Sequence, residues 1–199
     1  MSKTVGCGIA LVVLALVLVG WAYSVYNGLV GAEQQVEGQW ANVESAYQRR
    51  ADLVPNLVAT VKGAAAFEQD TLNQVIAARS RVGQMTVGPE VLDDPQRFAQ
   101  FQQAQDQLSS ALSRLLVVVE RYPELKAVAN FTDLQHQLEG TENRINVERN
   151  RFNEVARAYN TMVKRVPAAW FVRLLGWPFQ EKPYFAAQPG AETAPQVQF

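Results

Sequence analysis

Residues that could carry chemistry are few in this sequence, and the single histidine is the first to consider. His136 lies between Asp133 and Glu139, each three residues away, so a helix would place the three side chains on one face. A metal site needs several ligands at matching spacing, and the sequence has neither an HExxH motif nor a Glu-x-x-His pair. We therefore expect His136 to be a solvated histidine, and we predict no metal site.

Other chemical motifs are also missing. There is no GxxxxGK phosphate-binding loop, and no serine or threonine has a nearby base that would activate it. The adjacent Arg49 and Arg50 could bind a phosphate, but such pairs are usually solvated or paired with carboxylates such as Asp52 or Glu44. Arg49 and Asp52, three residues apart, can pair on one helical face. We predict no catalytic residue, no cofactor and no enzymatic activity, with an unrecognised enzyme as an alternative.

Composition excludes further classes of protein. The net charge is −1, which gives no basic field for nucleic acid, so we predict no nucleic-acid partner. The only cysteine is Cys7, so an intramolecular disulfide and a cysteine metal cluster are both excluded, while palmitoylation stays open.

A long apolar stretch near the N-terminus, residues 8–26 (GIALVVLALVLVGWAYSVY), contains no charged side chain. As a helix it would rise about 28 Å, close to the bilayer hydrocarbon core of about 30 Å. The aromatic rings of Trp21, Tyr23 and Tyr26 at its C-terminal end favour the headgroup layer. We predict a short tail over 1–7 and a membrane-spanning helix over 8–27 in contact with lipid. A signal peptide cleaved after Ser24 is the alternative.

The flanking charges and the small residues of this stretch predict its orientation and its neighbours. Lys3 precedes it, and the next basic residue is Arg49, so the positive-inside rule places the body outside the cytoplasm. Small residues recur every fourth position and would form one close-packing face, which predicts a homo-oligomer unless the spacing is chance. They are Gly20, Ser24, Gly28 and Ala32.

The body, residues 28–178, has the periodicity of a helical bundle. Apolar residues follow helical spacing from 33 to 81, and Pro55 predicts either a kinked continuous helix or two helices broken near 52–55. Asp94 and Pro95 predict the N-cap and first position of the next helix. That helix carries two heptad rows typical of a coiled coil, in which Gln105 is the polar exception.

The last long helix, predicted from about 132 to 165, carries asparagines beside its apolar seam. Asparagine disfavours helix, so the row needs a compensating role. A hydrogen-bonded polar layer between helices is the interpretation we favour, and an amide ladder at a subunit interface is the alternative. The row comprises Asn143, Asn146, Asn150, Asn153 and Asn160.

The C-terminal part is more irregular. An apolar helix over 167–176 is expected to dock on the bundle or to touch the membrane surface. We expect residues 179–199 to be irregular and disordered. Val197 and Phe199 form an apolar-x-apolar terminus of the kind that a PDZ-type domain accepts. An adaptor or client of an envelope membrane protease is therefore an alternative to a membrane-anchored helical scaffold, unless these residues are a plain solvated tail.

Several motifs together resemble the LemA family of bacterial membrane proteins, in order from about residue 8 to 186. They are residues 26–30 (YNGLV), 49–58 (RRADLVPNLV), 77–79 (AAR), 120–127 (ERYPELKA), 142–145 (ENRI), 157–160 (RAYN) and 183–185 (PYF). The resemblance implies an all-α fold, with one N-terminal transmembrane helix and an antiparallel bundle of long helices, in the bacterial inner membrane. It implies no established catalytic activity. Its polar positions are candidate site residues: Asn27, Arg49, Arg50, Asp52, Asn56, Asn143 and Asn160.

Overall fold

The computed structural model describes residues 3–63, 68–85, 87–126 and 128–186. Over these residues the chain is helical and contains no strand, so the predicted all-α class is confirmed. A 3₁₀ helix spans Pro89–Asp93. The α-helices are α1 (Lys3–Lys62), α2 (Gln69–Gly83), α3 (Pro95–Val119), α4 (Pro123–Lys126), α5 (Ala129–Lys164) and α6 (Ala168–Leu175).

The first helix joins the apolar stretch to the bundle without a break. α1 has 60 residues, which corresponds to a rod of about 90 Å. Its most apolar window has a mean hydropathy of 2.3, and none of that window is buried inside the structure. This part of α1 is long and apolar enough to cross a membrane. The predicted span and the first bundle helix are therefore one element.

Of the two alternatives for Pro55, a continuous helix or a break near 52–55, the structure has the continuous helix. α1 continues through Pro55 and ends at Lys62, and α2 begins at Gln69. Pro55 is exposed, whereas Val54 and Leu57 beside it are buried. Because the ring points to solvent while the opposite face packs in the core, tertiary packing keeps the helix continuous.

The bundle alternates in direction from helix to helix. Along α1 and α5, Trp40 packs on Phe152 while Arg50 pairs with Glu142, so these two helices are antiparallel. Two links between α2 and α3, Arg81 with Gln107 and Arg114 with Gln74, show the same relation for that pair. α1, α2, α3 and α5 thus form an up-down-up-down arrangement.

Two apolar cores lie one above the other along the bundle. The membrane-side core comprises Leu29, Val36, Trp40, Val43, Ala46, Tyr47, Val91, Leu92, Phe98, Phe101, Ile145, Phe152, Ala156, Tyr159, Val163, Ala168, Phe179 and Phe185. The distal core comprises Val54, Leu57, Val61, Leu72, Val75, Ala78, Val82, Ala104, Leu108, Leu112, Leu115, Val119, Leu125, Phe131 and Leu138. On α1 the two cores are separated by about two turns, from Tyr47 to Val54, and Arg50 lies between them.

Two helix ends match their sequence signals. The Asp94 carboxylate accepts hydrogen bonds from the backbone N–H groups of Gln96 at 2.9 Å and Arg97 at 3.3 Å, as predicted for an N-cap. α6 ends at Gly176, whose φ of 66° lies in the left-handed region that glycine adopts without strain. This turn reverses the chain at the end of the bundle that faces the apolar stretch.

The chain after α6 is irregular but packs on the bundle. Residues 177–186, named here the C-terminal segment, have no regular secondary structure, but Phe179, Lys182 and Phe185 are buried. Residues 179–186 are irregular, as the sequence predicted, and apolar rings and side-chain amides hold them on the bundle. Val197 and Phe199 lie outside the described residues.

Candidate functional site

A buried arginine lies between the two cores. The Arg50 side chain is fully buried, and its Nη1 donates to Glu142 Oε1 at 2.8 Å and to the Ser109 hydroxyl. Its Nη2 donates to the carbonyl and side-chain oxygens of Gln105. These four residues, which we call the polar layer, connect α1, α3 and α5. Gln105, the polar exception in the predicted heptad seam, is there because it binds this guanidinium.

A second arginine continues the network toward the membrane-side core. Arg149 Nε donates to the Tyr47 hydroxyl, and its Nη2 donates to Asp106 Oδ1 at 2.8 Å. Its guanidinium also lies 4.8 Å from the centre of the Phe185 ring. The Arg50 guanidinium lies 5.1 Å from the Tyr47 ring centre, so one phenol separates the two cations. Both contacts are cation–π distances.

α5 also carries a buried carboxylate. Glu148 is fully buried and accepts a hydrogen bond from Gln39 at 2.7 Å. It also pairs with Arg144 at 2.6 Å and Arg151 at 3.4 Å, whose side chains are exposed. The charge of this carboxylate is thus compensated from the same helix, as burial of an ion requires.

Three side-chain amides bind the backbone of the C-terminal segment. Asn160 bonds to both the N–H and the C=O of Lys182, each at 2.8 Å. Asn153 does the same for Phe185, at 2.9 and 3.0 Å. Gln102 on α3 does so for Ala186, at 3.3 and 3.2 Å. Each amide replaces the partners that a neighbouring strand would supply.

The Lys182 ammonium group ties the same segment to two other elements. It lies 2.9 Å from Glu33 on α1 and 2.6 Å from Asp93 in the 3₁₀ helix. Its side chain is only 5% exposed and approaches the Tyr159 ring. A buried lysine with two carboxylates at hydrogen-bond distance keeps its charge.

The C-terminal segment runs along α1 with a fixed register. Phe179 packs on Tyr26, Lys182 pairs with Glu33, and Phe185 stacks on Trp40. Three residues of extended chain span about 10 Å, and seven residues of helix span about 10.5 Å. The spacing of three in the segment therefore matches the heptad spacing of α1.

The pKa values of these buried groups are shifted further above pH 7. Burial raises the pKa of Tyr47 to about 12, and burial and then Glu33 raise that of Tyr159. Burial acts to lower the pKa of Lys182, but its bonds to Asp93 and Glu33 raise it more. The pKa of Arg149 is likewise raised, by Tyr47 and Asp106, against the effect of burial. At pH 7 the phenols stay neutral and the cations stay charged, so none of these groups is poised for proton transfer.

The motif positions separate into buried and exposed residues. Arg50 and Asn160 are buried in the contacts described above. Asp52 accepts a hydrogen bond from Gln48 at 2.8 Å, and no ion pair joins it to Arg49 in the described part of the chain, so that predicted pair is wrong. The remaining motif residues lie on the surface: Asn27, Arg49, Asn56 and Asn143.

The asparagine row does not form the polar layer between helices that we predicted. Asn143, Asn146 and Asn150 are exposed, whereas Asn153 and Asn160 bind the C-terminal segment. Of the residues that do form the layer, the sequence marked Arg50 as a motif position and Gln105 as the polar exception in the heptad seam, but it did not connect them with each other or with Ser109 and Glu142. It gave no signal for Arg149, Glu148 or Lys182.

The remaining candidates are spread over the molecule. His136 is exposed, with Nδ1 3.8 Å from Glu139, and the described residues hold no group of three or more potential metal ligands. In the small-residue face, Gly20 and Ser24 are exposed, but Gly28 lies near Met162 and Ala32 packs on the membrane-side core. In the C-terminal half of that face, Gly28 is thus exposed beside Met162 of α5, and Ala32 is half-buried.

Comparison with known proteins decides the family. The LemA family profile matches residues 39–199, which include the polar layer and all three amide contacts. The chain belongs to the LemA family. The resemblance carried by the sequence motifs is therefore confirmed, and with it the long helices after an apolar N-terminal helix.

Named relatives of this LemA-family chain are magnetosome proteins. It is 25% identical over 191 residues to the magnetosome protein MamQ of Magnetospirillum gryphiswaldense, covering 86% of this chain and 70% of the relative. It is 26% identical over 184 residues to the magnetosome proteins MamQ 2 and MamQ 1 of Paramagnetospirillum magneticum, covering 84% of this chain and 67% of each relative. Together with the exposed apolar part of α1, these similarities indicate a membrane-associated protein.

Proposed function

We propose that this protein is a membrane-anchored helical scaffold without catalytic activity of its own. The continuity of α1 carries the proposal: the helix with the exposed apolar stretch also supplies Val36, Trp40 and Val54 to the two cores. An unbroken helix between anchor and bundle leaves no flexible linker, so the bundle has a fixed geometry relative to its anchor. A rigid mount of this kind suits a protein that positions partners at a membrane.

The electrostatics of the interior support the non-catalytic part of the proposal. The buried ionic groups pair with opposite charges. The raised pKa of Tyr47 keeps its phenol neutral at pH 7, and the raised pKa of Lys182 keeps its ammonium group charged. Such groups specify which helices pack together. The exposed amides of Asn143, Asn146 and Asn150 give α5 a polar surface that is free for partners.

Self-association through the anchor is the second step of this proposal. A Cβ atom added at Gly20 would have no neighbouring atom within 4 Å, and Ser24 is exposed one turn further on. These two positions would let a second copy approach closely within the bilayer.

The oligomeric state of the full chain in mild detergent tests the scaffold. We expect an oligomer for the unaltered chain and dissociation on the double change Gly20→Leu and Ser24→Leu. Gly8→Leu is the matched control, because Gly8 lies on another face of the same apolar stretch and also has open space around it. A monomer before any substitution would contradict self-association.

The bundle is proposed to lie outside the cytoplasm, in a bacterial inner membrane. The positive-inside rule acts on basic residues that are close to the span in sequence. Lys3 precedes the span, and the next basic residue along the chain is Arg49. A reporter that is active only outside the cytoplasm, fused after Phe199, should be active. Activity only for the fusion after Ser2 would reverse the orientation.

A further inference from the structure

The outward face of α6 is an apolar surface that nothing in the described chain covers. Trp170 is 66% exposed and Leu174 is 83% exposed, while Ala168 on the opposite face is buried. α6 contains one charged residue, Arg173, in eight. A helix on a water-facing surface carries mostly polar residues on its outer face, whereas the exposed residues of α6 are apolar except for Arg173. This face therefore needs an apolar surrounding that the bundle does not supply.

The position of α6 identifies that surrounding. The Phe171 ring packs edge-on against Trp21 of the apolar stretch, with 5.8 Å between ring centroids. Trp177, just after α6, packs on Tyr26 at 5.1 Å. Trp21 and Tyr26 are separated by about 7.5 Å along the helix. α6 thus lies beside the C-terminal end of the apolar stretch, at the level where aromatic rings meet lipid headgroups.

We propose that α6 is an interfacial helix whose outward face lies in the headgroup layer of the bilayer that α1 crosses. Trp170, Leu174 and Leu175 enter the boundary between headgroups and acyl chains, and Arg173 reaches the lipid phosphates. Arg165, exposed at the C-terminal end of α5, lines the same cleft as Ser24 and Val25 and adds a second cation at that level. Because α1 is continuous, this second lipid contact sets the tilt of the bundle against the membrane.

The proposal rests on α1 spanning the bilayer, so the test measures both contacts separately. The full chain carrying Cys7→Ser and one added cysteine is spin-labelled and reconstituted in vesicles of phosphatidylcholine and phosphatidylglycerol. Collision rates with oxygen, which partitions into lipid, and with a water-soluble nickel complex are compared. The labelled variants are Leu174→Cys on α6, Leu16→Cys in the apolar stretch and Val117→Cys, an exposed apolar position on α3 beside the distal core.

We expect the oxygen-to-nickel ratio at residue 174 to be several-fold higher than at 117 and to approach that at 16. Trp170→Cys repeats the measurement on the same face, so that a single disturbed position does not decide the result. A ratio at 174 and 170 equal to that at 117, with 16 still in lipid, would overturn the proposal and leave the anchor intact. Low access to both reagents at 174, with spin–spin broadening that vanishes on dilution with unlabelled protein, would assign the face to a second copy instead. A label at 16 exposed to water would overturn both contacts.

Discussion

Asn160 binds both backbone groups of Lys182, donating to its carbonyl oxygen and accepting from its N–H at 2.8 Å each. Seven residues earlier on α5, Asn153 forms the same pair of bonds with Phe185. These two asparagines of α5 therefore bind the backbone of an extended segment of the chain. This contact keeps the C-terminal segment against α1, next to the end of the apolar stretch.

Removing the Asn160 amide should destabilise the bundle. Asn160→Ala leaves the N–H and C=O of Lys182 unpaired at a position that is almost fully buried, which costs about 2–4 kcal/mol. Asn146→Ala, on an exposed part of the same helix, should change stability by less than about 0.5 kcal/mol. Urea unfolding of the full chain in mild detergent, followed by near-UV circular dichroism, measures both. Equal effects of the two substitutions would contradict the assigned role of Asn160.

Alanine substitution of two adjacent arginines should change the free energy of unfolding by very different amounts. Arg50→Ala removes the donor shared by Gln105, Ser109 and Glu142 and should lower the free energy of unfolding by about 2–4 kcal/mol. Arg49→Ala, one residue away and exposed, should have an effect below about 0.5 kcal/mol. The same urea titration compares them. A smaller effect for Arg50→Ala than for Arg49→Ala would show that the polar layer does not hold the helices in register.

Stability should fall in alkaline solution partly through Tyr47. Burial raises its pKa to about 12, above the unfolded value of about 10, so the folded state holds the proton more tightly. The stabilisation is complete below about pH 10 and is lost as the pH rises toward 12, by up to about 1.4 kcal/mol per pH unit. Tyr47→Phe removes the titrating hydroxyl, so the difference in stability between the two proteins should narrow from pH 9 to pH 11. A constant difference over that range would contradict the raised pKa.

Two glycines should respond to alanine with opposite signs. Gly176 has a φ of 66° and open space around it, so Gly176→Ala adds only backbone strain, of about 1–2 kcal/mol. Gly140 lies inside α5, and the methyl group of an alanine there would meet no neighbouring atom within 4 Å. Gly140→Ala should therefore stabilise the folded protein by about 0.5–1 kcal/mol. Thermal unfolding of the full chain in detergent measures both changes. Stabilisation by Gly176→Ala would contradict the left-handed turn after α6.

Local signals predicted much of the helical framework. The Asp94-Pro95 pair marks the start of α3, and Gly176 marks the end of α6, because capping depends on the few residues around a helix end. The effect of Pro55 was left open, since the sequence does not show that this proline faces solvent while its neighbours pack in the core. The heptad seam identified Gln105 as unusual, but not the guanidinium it binds.

The sequence by itself determined the all-α class, the membership of a membrane-protein family and the apolar stretch, because periodicity and hydrophobicity are properties of consecutive residues. Only the tertiary structure decided that Arg50, Glu148 and Lys182 are buried and that the C-terminal segment lies along α1 in a register of three residues to seven. These contacts join residues far apart in the chain, and their stability depends on partners that burial brings together. The same charged side chain is a solvated surface group or a core residue according to those partners, so its type alone does not reveal its place.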